Sequence, residues 1–282
     1  MTRTAVLLTV FNRKETTLQG MRSLYKAIDT LGDGYIFDIY MTDDGCTDGT
    51  AEVISREFPE IYLIKGDGNL YWSGGMRKAW QQAVESNMDY DYYLWFNDDA
   101  NLYENALQVL FKTMMGCGRK TIVCGAFCDN KGNVSYGGRN RENELISPNG
   151  IFQDVYYMNG NFVLIPNTVF LKNGFIDTKY KHGLGDFDYG LRARKAGFDV
   201  LLTPSFVGTT ERHDVVMPDC FSFKYGFKKR WKLLHNPRNS PSITFFYYWS
   251  HFSMRKAIVE YVRMYVFTIA PCLYYKTHKM SV

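Results

Sequence analysis

The residues able to do chemistry gather at the ends of apolar runs. Residues 93–96, Tyr-Leu-Trp-Phe, carry no charge and stop in an amide and two adjacent carboxylates, Asn97-Asp98-Asp99. Two carboxylates side by side repel unless a cation or a proton comes between them. A divalent metal that also holds a phosphate-bearing ligand would meet that need. An Asx turn closing a strand accounts for the same residue types with no ligand at all. Two other runs end in a similar way: residues 5–11 lead into Asn12-Arg13, and residues 37–42 into Asp43-Asp44. One polar strand end is a turn. Three along one edge describe a nucleotide cleft, because open α/β sheets bind ligands at the carboxyl ends of their strands.

Two further stretches carry candidate chemistry. Asp186 and Asp188 open a helix that Gly197 closes. Asp188 falls in its first turn, where the helix dipole favours a carboxylate. Asp186 stands just before it, either as an N-cap or free in a cleft as a general base. The loop 66–75 contains Gly66, Gly68, Gly74 and Gly75 but no GxGxxG. A glycine pair lets backbone approach a ligand and sets the N-terminus of a helix over residues 76–86 to receive an anion, with Arg77 or Lys78 adding charge. A plain strand-to-helix loop explains the same glycines.

Bringing these ends to one edge requires strands that alternate with helices. The periodicity predicts strands at 5–11, 37–42, 61–64 and 92–96, with helices at 15–31, 51–58 and 76–86 between them. That order predicts an α/β fold, a mostly parallel sheet flanked by helices. Beyond residue 115 the pattern loosens. Strands are expected at 121–128, 134–136, 162–166 and 200–202, and helices at 167–172 and 186–197. Asn159-Gly160-Asn161 precedes the 162–166 run.

Composition bounds the function classes. The net charge of +4 over 282 residues is too weak to argue for nucleic acid. Six cysteines without a CxxC pair argue against a zinc site and read as free, mostly buried thiols of a reducing, cytoplasmic setting. The apolar run at 5–11 is a first strand, since charged residues follow it with no small-residue cleavage site. No stretch reaches the roughly 20 apolar residues of a spanning helix. The longest, 264–275, contains Pro271.

Taken in order, Val10-Phe11-Asn12-Arg13, the 42–50 stretch Thr-Asp-Asp-Gly-Cys-Thr-Asp-Gly-Thr, the 68–75 stretch Gly-Asn-Leu-Tyr-Trp-Ser-Gly-Gly, Asn97-Asp98-Asp99, Gly185-Asp186-Phe187-Asp188 with the helix to Gly197, and His213 resemble the family 2 glycosyltransferases of GT-A fold, nearest their rhamnosyltransferase-like branch. The resemblance covers residues 4 to 215 or so. It implies a Rossmann-like catalytic domain at 1–215, with a nucleotide-binding half at 1–115 and an acceptor-side half at 116–215. It implies that Asp43 bonds the nucleobase and that Phe11, Asn12 and Arg13 enclose it. Trp72, Gly74, Gly75, Arg77, Asn97 and Asp98 would line the donor site. Asp99 would hold Mg²⁺ or Mn²⁺ between the diphosphate oxygens, with His213 completing the shell. Asp186 would be the acceptor-side base. The implied activity is an inverting, metal-dependent hexosyl or deoxyhexosyl transfer from a nucleoside-diphosphate sugar to a glycan or lipid-linked oligosaccharide, in the synthesis of a polysaccharide. The residues fit that chemistry: a carboxylate-held cation neutralises a leaving diphosphate, and a single carboxylate deprotonates the incoming hydroxyl.

Residues 216–282 are expected to form a basic, aromatic helical extension, with one helix over 242–265. From Cys220 to Val259 there is no acidic residue, and bases alternate with aromatics. Such a mixture suits a peripheral contact with the inner face of the cell membrane across 221–275; it suits equally a helical layer packed on the catalytic domain or on a second subunit of a homodimer. Two other functions compete with sugar transfer. A nucleotidyltransferase acting on a sugar phosphate also pairs an α/β sheet with carboxylate-held Mg²⁺, but places glycines after its first strand, and none follows Phe11 directly. A non-catalytic carbohydrate-binding protein would use the many Tyr and Trp as stacking platforms.

Overall fold

The uncharged runs at 5–11, 92–96, 121–128 and 162–166 become inner strands of one sheet. The computed structural model describes residues 1–118, 120–212, 217–237 and 240–278. The first half alternates strictly: β1 (Thr2–Val10), α1 (Lys14–Leu31), β2 (Tyr35–Asp43), α2 (Thr50–Glu57), β3 (Tyr62–Lys65), α3 (Tyr71–Glu85) and β4 (Tyr92–Phe96). These strands pair in parallel in the order β3-β2-β1-β4. The chain therefore reverses its winding at β1, and β1 and β4 lie side by side across the switch point where such sheets open a crevice at their carboxyl ends.

After β4 come β5 (Asn101–Leu102), α4 (Ala106–Cys117), β6 (Thr121–Cys128), β7 (Val134–Tyr136), β8 (Gly138–Arg139), β9 (Gln153–Asp154), β10 (Tyr157–Met158), β11 (Phe162–Pro166), α5 (Asn167–Asn173), α6 (Gly185–Lys195) and β12 (Asp199–Thr209). The sheet continues from β4 through β11, β6 and β12 to β5. β11 runs antiparallel to both β4 and β6, while β12 is again parallel to β6. The sheet is thus mixed and mostly parallel, as the periodicity predicts. Because β11 is reversed, it begins at the edge where β1 and β4 end.

Strand β4 is buried throughout, and its side chains alternate between two cores. Tyr92, Leu94 and Phe96 pack with Val6 and Leu8 against Leu18, Met21 and Leu24 of α1 and Leu107 and Leu110 of α4. Tyr93 and Trp95 pack on the opposite face against Met76, Ala79 and Trp80 of α3 and Tyr189 of α6. A strand covered on both faces has no need of polar alternation, which is why its sequence shows none.

The chain divides into two compact units. The first holds residues 1–178 and 185–212, and the second the described residues of 179–184 and 213–282. The second unit is helical, with a 3₁₀ turn at Asp219–Phe221 and helices α7 (Phe227–Leu234), α8 (Pro241–His251), α9 (Met254–Ile269) and α10 (Pro271–Thr277). The single helix expected over 242–265 is two helices. Phe252 leaves the helical region, and Ser253 caps α9 by accepting the Lys256 backbone N–H at 3.2 Å. No single described helix is long and apolar enough to cross a membrane.

Candidate active site

The turn after β1 carries the first site residues. Phe11 is 52% exposed where its strand neighbours are buried. Asn12 takes a left-handed backbone, φ 49°, a conformation that costs a non-glycine residue energy and is held by its surroundings. Its Oδ1 accepts the Thr47 backbone N–H at 2.7 Å, and its own N–H donates to Cys46 Sγ at 3.2 Å. The turns after β1 and β2 are thereby fastened together. Burial and the neighbouring Asp43 carboxylate push the Cys46 thiol up to about 12, so it stays protonated.

At the end of β2 the two acids do different work. Asp43 is half-buried, and its Oδ1 accepts the Cys46 N–H at 2.7 Å in an Asx turn. Asp44 is buried and accepts three backbone N–H groups, from Gly68 at 2.9 Å, Leu70 at 3.0 Å and Tyr71 at 3.0 Å. Sequence reasoning missed this role. It also corrects the anion site expected at Gly74-Gly75. Helix α3 begins at Tyr71 rather than after the glycines, and Asp44 already occupies its N-terminus. Gly74 and Gly75 are buried inside the helix. A Cβ on Gly75 would lie 2.1 Å from Thr9 Oγ1, so this glycine serves close packing of helix on strand. The Arg77 guanidinium donates to the carbonyls of Ile176 and Asp177, each at 2.9 Å.

The end of β4 lies across the crevice from the β1 turn. Asp98 is 1% exposed and receives Thr17 Oγ1 at 2.7 Å and an Arg13 nitrogen at 2.5 Å. The other Arg13 nitrogen reaches Asp99 Oδ2 at 2.9 Å. The cation that two adjacent acids require is here a guanidinium from the neighbouring strand end. Burial pushes the Asp98 carboxyl up to about 6, against the pull of Arg13 and Thr17. Asp99 Oδ1 is buried and has no hydrogen-bond partner among the described residues. Asn97 accepts the Trp72 indole N–H at 2.6 Å, and its backbone N–H donates to Asn161 at 2.8 Å. Among the described residues no three His, Cys, Asp or Glu side chains gather into a metal cluster, and His213 lies outside the described residues.

Asp186 sits in the first turn of α6, half-buried. Its Oδ2 accepts the Gly160 N–H at 3.0 Å and its Oδ1 the Phe187 N–H at 2.9 Å. Burial pushes the carboxyl up to about 6, although both N–H groups favour the carboxylate. Gly160 is the meeting point: a Cβ there would lie 2.5 Å from the Trp72 ring and 3.4 Å from the Asp186 side chain. Gly185 is fixed in the same way, since its Cβ would fall 2.4 Å from Ser73 Oγ. Asp188 is buried in an ion pair with Arg192 at 2.8 Å, one turn along the helix, which makes it a structural residue. The geometry therefore links Arg13, Asn97, Asp98, Asp99, Trp72 and Asp186 around one crevice. Thr17, Asp44 and Gly160, which position them, have no strong signal in the sequence. An amide-glycine-amide triplet before an apolar run was the one visible cue.

Comparison with known proteins places the fold that carries this crevice. The sequence pattern of the family described as Glycosyl transferase family 2 matches residues 5–178, more than half of the chain. No curated protein sequence matches. Among solved structures, GalNAc-T7, crystallised with UDP, GalNAc and Mn²⁺, superposes with a TM-score of 0.56 at 13% identity, over 88% of this chain and 50% of that one. A TarS fragment from S. aureus, residues 1–349, superposes at 0.53 and 11% identity, over 94% and 72% respectively. A longer S. aureus TarS structure gives 0.53 at 13% identity, over 90% and 44%. The chain spans half the length of the first of these. At such identities the likeness is one of fold, the mixed α/β GT-A fold. With the family pattern running from β1 past α5, the chain belongs to glycosyl transferase family 2.

Proposed function

We propose that the chain transfers a sugar, with inversion, from a nucleoside-diphosphate donor to a hydroxyl of a glycan or lipid-linked acceptor. The observation that carries this reading is Asp186, a carboxylate anchored by two backbone N–H groups beside Trp72 and Gly160. It takes the proton of the acceptor hydroxyl as that oxygen attacks the anomeric carbon. The bond from that carbon to the diphosphate oxygen breaks in the same displacement, and the configuration inverts. Asp43, at the end of β2 beside the Asn12–Thr47 contact, suits a nucleobase N–H; exposed Phe11 suits its face.

The residues fit a divalent cation. Asp99 Oδ1 is buried without a partner among the described residues, and diphosphate oxygens are hard ligands of the same kind. Bound there, Mg²⁺ or Mn²⁺ would neutralise the leaving diphosphate. The UDP and Mn²⁺ of the GalNAc-T7 crystals support testing those two first. Family membership favours this activity over a nucleotidyltransferase or a non-catalytic sugar-binding protein, and the order of the motifs favours the rhamnosyltransferase-like branch.

The test is a thermal-shift titration of UDP, dTDP and GDP with and without Mn²⁺. One nucleotide is expected to raise Tm, and Mn²⁺ to raise it further. In Asp99→Ala the Mn²⁺ increment is expected to vanish while the nucleotide shift persists. An unchanged Mn²⁺ increment removes Asp99 from the metal site. No shift with any nucleotide overturns the donor class.

A further inference from the structure

The helical unit carries a face that its own interior does not use. Along α9, Met254, Ile258, Val262, Val266 and Ile269 recur every three or four residues, the spacing of one helix face. They are between 38% and 59% exposed. An aromatic ridge runs from α7 across α9 to α8. Its ring centroids are 5.7 Å apart for Phe227–Trp231, 5.5 Å for Trp231–Tyr265, 5.1 Å for Tyr261–Tyr265 and 5.9 Å for Phe245–Tyr261. Phe227, Trp231, Tyr261 and Trp249 are each at least 36% exposed.

The charge around these rings is mostly positive. Lys228, Lys229 and Lys232 are exposed on α7 beside Phe227 and Trp231. Glu260 is the one acid from Cys220 to the end of the sequence, and Arg263 lies 3.3 Å from it. Exposed aliphatic side chains, amphipathic rings and unopposed lysines are the components of a surface that enters the headgroup region of an anionic bilayer. The same face on a second copy carries the same excess of positive charge and offers no complementary one. Helix α9 has 16 residues, about 24 Å at 1.5 Å per residue, against the roughly 30 Å of a hydrocarbon core. It bends by 115° into α10. A helix of that length and bend suits lying in the interface.

We propose that α7, α8 and α9 form a docking face for an anionic membrane surface, with the α9 aliphatic stripe entering the headgroup region and the α7 lysines meeting lipid phosphate. The inference is independent of the assignment of Asp186 or Asp99. The full chain is to be sedimented with vesicles of phosphatidylcholine alone and of phosphatidylcholine with phosphatidylglycerol. It is expected to bind the second and not the first, and to be released as salt rises. Replacing Lys228, Lys229 and Lys232 together by Gln is expected to weaken partitioning by about fivefold per lysine. Ile258→Ser with Val262→Ser is expected to weaken it further without lowering Tm, since both side chains are exposed. Equal binding to the two vesicle types, or none to either, overturns the proposal. So does self-association that the serine pair abolishes while vesicles are ignored, which would assign the face to a second copy. The salt titration uses the unaltered chain and stands whether or not a variant folds.

Discussion

One guanidinium nitrogen of Arg13 lies 2.5 Å from the carboxylate of Asp98, joining the end of β1 to the end of β4 across the switch point of the sheet. Asp98 is buried while Arg13 is 45% exposed. The pair thus sits between two regimes: breaking a buried ion pair from one side costs ~3–5 kcal/mol, while an exposed pair is worth ~0–1 kcal/mol. Arg13→Gln should cost about 2 kcal/mol, seen as a shift in the urea midpoint without a change of slope. Arg13→Lys should recover only part of it, because an ammonium cannot bridge Asp98 and Asp99 as a planar fork does. Equal stability of Arg13→Gln and the unaltered chain would show that Thr17 alone suffices to hold Asp98.

The two acids closing β2 should separate cleanly. Asp44 accepts three backbone N–H groups at the start of α3, and each lost bond to a charged group is worth ~1.5–3 kcal/mol. Asp44→Ala is expected to lower stability by at least about 3 kcal/mol in chemical denaturation. Asp43 closes a turn with one such bond. Asp43→Ala should therefore cost ~1 kcal/mol while weakening the preferred nucleotide by about tenfold or more in a thermal-shift titration. If Asp43→Ala binds nucleotide normally, the base is recognised elsewhere.

Burial raises the Asp186 carboxyl to about 6, and the general-base role proposed for it requires the ionised form. Below pH 6 the carboxyl is protonated, so turnover should fall as pH drops through that value and reach a plateau above it. A pH profile of kcat checks the sign. Asp186→Asn is expected to lower kcat by ~10²–10⁴, leave the donor KM nearly unchanged, and abolish the acid limb in whatever rate remains. A residual rate that keeps the limb at pH 6 would assign it to another group.

The parts of this site legible in the sequence are those that a single strand end displays by itself. Residues 93–96 are apolar without alternation, and both faces of β4 are buried; Asn97-Asp98-Asp99 ends that strand where the pattern placed it. What the sequence does not display depends on strand direction and on space. β11 is antiparallel, so the residues before it, not after it, reach the cleft, and no property of 162–166 announces that reversal. Gly74 and Gly75 look like a ligand loop because glycine permits close approach; the structure shows that what approaches Gly75 is Thr9. Asp44 and Asp43 are the same residue type one position apart, and only the point where the chain leaves β2, presenting Asp44 to the Gly68–Tyr71 backbone, distinguishes them.

Gly160 offers the most direct test of how the cleft is held. Its backbone is not left-handed, so alanine is conformationally acceptable there, and the obstacle is space alone. The added Cβ would sit 2.5 Å from the Trp72 ring and 3.4 Å from the Asp186 side chain. Gly160→Ala must move either the indole, which donates to Asn97, or the N–H that anchors Asp186. Overpacking of this kind costs ~1–3 kcal/mol, and small displacements of a catalytic group lower rates by about a hundredfold. Trp72→Phe removes the ring atoms in the way, together with the indole N–H. The double variant should therefore be more stable than the sum of the single costs predicts, with a coupling of ~0.5–3 kcal/mol. Denaturation midpoints of the four proteins in that cycle measure it. Strict additivity would show that the loop before β11, rather than the Trp72 ring, gives way when Gly160 acquires a side chain.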